Sequence, residues 1–86
     1  MESFKLHLLR LARQGPVEVP GVPARAYTLL EPVEREGSGF YLLLEGELVI
    51  DLPEGRYLHL KKGEAARLTE PHRLLPVGRA VLLEVG

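Results

Sequence analysis

Residues 40–51 constrain the fold more than any other stretch of the sequence. They form an apolar run, a Glu-Gly-Glu break and a second apolar run, and no other window is as hydrophobic or as rich in strand-favouring residues. In an extended strand the first run alternates between two faces, one with Phe40, Leu42 and Leu44 and the other with Tyr41 and Leu43. Because both faces are apolar, this strand must be covered on both sides. Gly46 lies between the two runs, where a side chain would be hard to accommodate if the strand kinks or bulges; the Glu-Gly-Glu break is interpreted as a solvated turn.

The length of the chain limits its architecture, and its charge limits its partners. Eighty-six residues suffice for one domain. A chain this short buries roughly 60 to 70% of its unfolded surface, so a partner subunit would support its core. The formal net charge of -1 gives no electrostatic reason to expect nucleic acid or an anionic membrane as a partner. The absence of cysteine excludes disulfides, thiolate metal sites and a cysteine nucleophile.

Composition also indicates a source and a location. Asparagine and tryptophan are absent, Gln14 is the only glutamine, and arginine outnumbers lysine eight to three. This pattern fits a thermophile, although a GC-rich genome produces a similar one. Lys5, His7 and Arg10 interrupt any apolar stretch that a signal peptide would need, and no window reaches transmembrane length. We therefore expect a cytoplasmic protein.

Residues 3–13 admit two interpretations. Phe4, Leu8 and Leu11 keep helical spacing, whereas Phe4, Leu6 and Leu8 alternate as they would in a strand. The Leu-Leu-Arg-Leu-Ala-Arg run has high helix propensity, which favours a short helix.

The rest of the chain alternates short strand patterns with turns. Residues 15–23 contain three prolines and two glycines, which exclude a helix and suit an extended segment at a sheet edge. A loop is predicted at residues 34–39 and a turn at residues 76–78. Strands are predicted at residues 24–32, 40–51, 56–61, 65–69, 72–75 and 79–85. Short strands at this spacing predict an all-β sandwich or barrel.

Four segments follow one another in a characteristic order. They are Phe-Tyr-Leu-Leu-Leu-Glu-Gly-Glu-Leu, a Pro-Glu-Gly turn, Tyr-Leu-His-Leu-Lys-Lys-Gly-Glu, and Pro-His before a closing apolar strand. In this order and spacing they resemble a minimal single-domain cupin. The resemblance implies a small double-sheet jelly-roll barrel over residues 24–86, preceded by an N-terminal helix or extended arm over residues 1–23.

The metal-binding motifs of the cupins are degenerate in this sequence. The resemblance places a glutamate ligand at Gly39 and two histidine ligands within residues 32–35, where no histidine occurs. It places a further histidine at Leu74, and His72, two residues earlier, suggests the same role in a shortened loop. At best one ligand of four remains, whereas a transition-metal site needs three or more. The resemblance therefore implies a metal-free protein without a cofactor.

Four residues are predicted to form a ligand site, with Arg35 at the barrel mouth and Tyr41, Leu43 and His72 inside. Tyr41 and Leu43 share a strand face with Gly39, the lost ligand position. An inward guanidinium could hold a carboxylate or phosphate, and the tyrosine hydroxyl could bind a ligand. Three of them also have a simpler interpretation: Arg35 in an exposed loop, Tyr41 in the core, and His72 capping a turn. No catalytic set of side chains is visible.

Two main hypotheses for function follow from different classes of protein. In the first, a metal-free cupin binds or senses a small anionic or sugar-like molecule without catalysis. In the second, a metal-dependent cupin enzyme of dioxygenase or isomerase type uses a shifted site around His72. The small number of metal ligands favours the first hypothesis. A purely structural or interaction domain is a third possibility, which a completely filled barrel interior would support.

The strand faces also predict a homodimer. If Tyr41 and Leu43 face the barrel interior, then Phe40, Leu42 and Leu44 face outward. An exposed apolar patch of that size is uncommon in soluble monomers. A second copy presenting the same face, or exchanging its N-terminal segment across a two-fold axis, would cover it. The resemblance implies the same, because small cupins commonly pair through sheet faces and N-terminal strands.

Overall fold

The computed structural model describes residues 3–86 and consists mainly of antiparallel strands. One α-helix, α1, spans Leu8–Gln14. The strands are β1 (Val17–Glu18), β2 (Ala24–Leu29), β3 (Val33–Arg35), β4 (Gly39–Asp51), β5 (Tyr57–Lys61), β6 (Ala65–Leu68) and β7 (His72–Val85). The predicted all-β fold with a short N-terminal helix is confirmed. Within residues 3–86 no helix is long and apolar enough to cross a membrane.

The two long strands, β4 and β7, pair with each other in both layers of the fold. The first half of β4 and the second half of β7 lie between β6 and β2, with β1 beyond β2 at the edge. The other halves lie between β5 and β3. We call these layers the first sheet (β1, β2 and β6 with residues 80–85 and 39–43) and the second sheet (β3 and β5 with residues 72–76 and 48–51). One apolar core, drawn from both sheets, lies between them.

β4 bends between the two sheets at Gly46. Its register with β7 shifts between Leu43 and Glu45 and again between Gly46 and Leu48, which marks a bulge. Gly46 has φ +87°, and a Cβ at this position would lie 2.3 Å from the backbone oxygen of Arg79. A residue with a side chain would therefore be strained and would also clash with the neighbouring strand. The Glu-Gly-Glu break is therefore a bulge within a continuous strand and not the expected turn, and Gly46 lies where a side chain is hard to accommodate.

The two faces of β4 have different surroundings. Tyr41 and Leu43 point between the sheets and are almost completely buried. On the outer face, Leu44 packs against a second cluster around Ala12 of α1, whereas Phe40 remains 39% exposed. α1 is also held in place by the Thr28 hydroxyl, which donates to the Ala12 carbonyl at 2.9 Å. The helix therefore covers only part of this face.

Two predictions about secondary structure were wrong. Residues 34 and 35, expected in a loop, belong to β3, because they pair with Arg73 and His72 of β7. Residues 76–78, expected to form a turn between two strands, lie inside the continuous strand β7. Proline and glycine usually interrupt a strand, but β4 provides a pairing partner on either side of this stretch, and Gly78 accommodates the bend with φ +76°.

We expect Gly46→Ala to lower the free energy of unfolding by roughly 2 to 3 kcal/mol, which corresponds to a melting temperature roughly 10 to 20 °C lower. The reason is that the new methyl group would meet a backbone oxygen, which cannot rotate away. The matched control is Gly63→Ala, because Gly63 has φ +88° but no atom within 4 Å of the added Cβ. This control should cost only about 1 kcal/mol. If chemical denaturation showed that both variants lose the same free energy of unfolding, this would contradict the close approach at Gly46.

Candidate functional site

Tyr41 and His72 meet between the two sheets. The Tyr41 hydroxyl lies 2.6 Å from His72 Nε2, and the two rings are in an edge-to-face arrangement with centroids 5.3 Å apart. His72 Nδ1 lies 2.9 Å from the carbonyl oxygen of Glu70. Because a carbonyl only accepts, Nδ1 of a neutral His72 donates to Glu70, and Nε2 accepts from Tyr41. Both ring nitrogens are therefore engaged in hydrogen bonds.

Tyr41 also fills the space next to Gly39. A Cβ at position 39 would lie 2.8 Å from the Tyr41 hydroxyl oxygen. This is the position at which the cupin resemblance places a glutamate ligand. A carboxylate there would require Tyr41 to move. The position of Tyr41 thus explains why residue 39 is a glycine. The tyrosine side chain occupies the space that a glutamate ligand at this position would need.

The residues at this position do not fit a transition metal. His72 is the one histidine near Gly39, and its two nitrogens are already bound by Tyr41 and Glu70. Across residues 3–86, no group of three or more histidine, aspartate, glutamate or cysteine side chains is arranged to hold a metal ion. A stable site needs about three protein ligands or more.

The structure places the other two predicted site residues differently. Leu43 is completely buried in the core between the sheets. Arg35 lies at the end of β3, where its Nε and Nη2 donate to the two carboxylate oxygens of Glu84, each at 3.3 Å. Arg35 is thus part of a structural ion pair, and Leu43 packs in the core. A ligand-binding role for Arg35, Tyr41, Leu43 and His72 stays a prediction.

Glu84, which the sequence pattern did not predict as a site residue, is the centre of a partly buried polar cluster. The Tyr27 hydroxyl donates to Glu84 at 2.5 Å, and Arg35 Nη2 lies 3.4 Å from the same hydroxyl. Arg25 Nη2 lies 3.6 Å from the Glu84 carboxylate, and its guanidinium lies over the Tyr27 ring. The alternation of β7 could have indicated this position, because Glu84 shares a strand face with the buried Leu82.

The cluster changes the proton affinities of its members. Burial tends to raise the pKa of Glu84, but hydrogen bonds from Tyr27 and Arg35 and the positive charge of Arg35 outweigh it, so the net pKa is lowered. Burial and the hydrogen bond to Glu84 raise the pKa of Tyr27 well above its ordinary value. Burial, followed by the negative charge of Glu84, raises the pKa of Tyr41. At neutral pH, Glu84 is therefore ionised, and Tyr27 and the neighbouring Tyr41 are neutral.

The best-formed cavities of the described chain lie on its surface. The larger is an open groove of about 670 Å³ along residues 18–25, with Glu84 and Gly86 completing its wall. A smaller one of about 340 Å³ lies beside Phe40 and Arg67. Neither is lined by Tyr41, Leu43 or His72. The polar cluster reaches the larger groove through Arg25 and Glu84.

Comparisons with known proteins identify the fold. No protein-family model matches the sequence, and no curated protein is detectably similar to it. A solved structure of a Neisseria meningitidis protein is similar with a TM-score of 0.79 at 15% identity, covering 96% of this chain and 98% of that chain. A cupin-2 domain protein from Shewanella frigidimarina has a TM-score of 0.69 at 14% identity, over 81% and 74% of the two chains. HppE, solved with Fe(II) and its substrate, has a TM-score of 0.62 at 21% identity, over 73% of this chain and 44% of that chain.

These similarities show that the chain has the cupin jelly-roll fold, as the resemblance in the sequence implied. Identities of 14% to 21% show the fold alone.

Acidification should reveal the contribution of Glu84 to stability. Because its pKa is lowered in the fold, its ionised form stabilises the protein; this contribution is complete above about pH 4.5 and is lost as the pH falls through the lowered pKa. Glu84→Gln should cost roughly 1 to 3 kcal/mol at pH 7. In denaturant titrations, the difference in free energy of unfolding between this variant and the unmodified protein should shrink towards pH 2.

The control for this experiment is Glu36→Gln, because Glu36 is exposed in the loop after β3. This substitution should leave the pH dependence of the free energy of unfolding unchanged. A constant difference between the Glu84→Gln variant and the unmodified protein from pH 7 to pH 2 would contradict a stabilising charge at this position.

Proposed function

We propose that the chain is a metal-free, non-catalytic cupin-fold module that binds a small molecule through a carboxylate or phosphate group. The observation that supports this is the position of Arg25 beside the 670 Å³ groove. Its side chain is 50% exposed, and its nearest carboxylate, Glu84, lies 3.6 Å away. Glu84 already accepts hydrogen bonds from Arg35 and Tyr27 at shorter distances. Arg25 therefore remains able to bind an anionic group.

The groove suits a ligand of modest size with an apolar part. Its volume lies within the range of small-molecule sites. The turn that forms one wall contributes apolar side chains, namely Val19, Pro20, Val22 and Pro23. The polar end of the groove contains Arg25 and, across the β1–β2 pair from it, Glu18. An anionic group would bind at Arg25 and keep away from Glu18.

Arg25 and Glu18, which have opposite charges, provide a test of the sign of the ligand's charge. We expect Arg25→Gln to weaken binding of a small dicarboxylate probe, succinate, or of inorganic phosphate by about tenfold or more, because a charge-assisted contact is lost. Glu18→Gln should leave binding unchanged or strengthen it, since it removes a repulsive charge. Isothermal titration calorimetry or thermal-shift titration would measure both effects. Binding that depends on Glu18 and not on Arg25 would contradict an anionic ligand.

The metal-free part of the proposal has its own test. Elemental analysis of protein purified without an affinity tag should find iron, manganese, zinc and nickel far below one equivalent per chain. Stoichiometric metal that disappears in His72→Gln and persists in His59→Gln would instead support the metal-enzyme alternative at His72. His59 is a suitable control because it is an exposed histidine that pairs with Glu47 on the surface.

A further inference from the structure

Glu18 and Arg25 lie opposite each other on β1 and β2 but do not form an ion pair. They are register partners, and the neighbouring Val19 N–H donates to the Ala24 carbonyl at 2.9 Å. Because hydrogen-bonded and non-hydrogen-bonded pairs alternate along antiparallel strands, Glu18 and Arg25 form a non-hydrogen-bonded pair, the type in which side chains are closer. Even so, within residues 3–86 no cationic side chain forms an ion pair with the Glu18 carboxylate. We call Glu18 and Arg25 the groove pair.

The contacts of Arg25 on its other side explain why it does not reach Glu18. Its guanidinium lies over the Tyr27 ring, 5.1 Å from the ring centroid, and its Nη2 lies 3.6 Å from the Glu84 carboxylate. Glu84 is the register partner of Arg25 on β7, so Arg25 lies between two acidic residues. The attraction between a cation and an aromatic face favours this orientation of the guanidinium. The groove pair therefore offers a positive and a negative group side by side.

Apolar side chains lie next to the groove pair. Both members of the pair line the 670 Å³ groove, and the turn that joins β1 to β2 adds Val19, Pro20, Val22 and Pro23. The turn is closed by a hydrogen bond of 3.2 Å from the Val22 N–H to the Val19 carbonyl. A ligand that uses the whole groove thus needs an anionic group and a cationic group close together, with an apolar remainder.

We propose that the ligand of the groove is a free α-amino acid with an apolar side chain. Its carboxylate binds Arg25, its ammonium group binds Glu18, and its side chain packs on the apolar turn. An α-amino acid carries both charges on one carbon, which matches two binding groups on directly opposite residues. The charged termini of a peptide are farther apart, by about 3.8 Å for each added residue. This inference rests on the proposed function, because it adds a second contact to the anionic group that Arg25 binds.

Three probes with one carbon skeleton separate the two charges of the ligand. L-Leucine carries both charges, isocaproate is leucine without the ammonium group, and isoamylamine is leucine without the carboxylate. Isothermal titration calorimetry with millimolar probe at pH 7 compares them. The unmodified chain should bind L-leucine about tenfold more tightly than either analogue, because each analogue lacks one charge-assisted contact.

Variants of the groove pair assign each contact. Glu18→Gln should weaken the binding of L-leucine about tenfold and leave isocaproate unchanged or more tightly bound. Arg25→Gln should weaken both. The matched control is Glu31→Gln, because Glu31 is exposed beyond the opposite end of β2 and does not line the groove. This control should leave the affinity for all three probes unchanged. Glu18 and Arg25 are also exposed, and circular dichroism verifies that each variant is folded.

The outcomes separate this inference from the proposed function. If L-leucine and isocaproate bind equally and Glu18→Gln changes neither, the amino-acid ligand is overturned, while isocaproate binding that depends on Arg25 still supports an anionic ligand. An equal loss of L-leucine binding in Glu18→Gln and Glu31→Gln overturns the ammonium contact. If L-leucine, isocaproate, succinate and phosphate all fail to bind, both the inference and the proposed function are overturned.

Discussion

The antiparallel pairing of β4 with β7 holds the two sheets together. Each of these strands passes through both sheets, and they remain paired on either side of the bend at Gly46. The other strands join one of the two sheets only: β2 and β6 the first, β3 and β5 the second. At the bend, Gly46 lies close to the Arg79 carbonyl, so the two long strands stay together as they pass around the apolar core.

The polar side chains between the sheets are already hydrogen-bonded to one another. Where the cupin resemblance places metal ligands, the chain has Tyr41 hydrogen-bonded to His72 and, nearby, Glu84 bound by Arg35 and Tyr27. Within residues 3–86, no buried side-chain nitrogen or oxygen lacks a hydrogen-bond partner. A polar interior in which every group is already paired is stable but offers little to a new ligand. The exposed guanidinium of Arg25, at the edge of this cluster, is the group that remains accessible.

Local sequence patterns predicted much of the fold and less of the candidate site. Alternation along residues 40–44 correctly separated inward from outward side chains, whereas the glycine between two charged residues was interpreted as a turn and lies in a bulge. Tyr41 and His72 were both predicted near the lost metal position, and the structure brings them into contact. Glu84 was missed, because an acidic residue in a closing apolar strand resembles a surface position. Its partner Tyr27 lies 57 residues away, so no local pattern links the two.

Local sequence alone shows which side chains share a strand face, that the Pro-Glu-Gly segment forms a turn, and that at least three of the four expected metal ligands are missing. Those properties follow from alternation, backbone preferences and residue identity, which are local. The folded chain was needed to show that β7 continues through Pro76 and Gly78, that Arg35 pairs with Glu84, and that Phe40 remains partly exposed. Each of these depends on the register between strands far apart in the chain, and a local pattern is compatible with several registers.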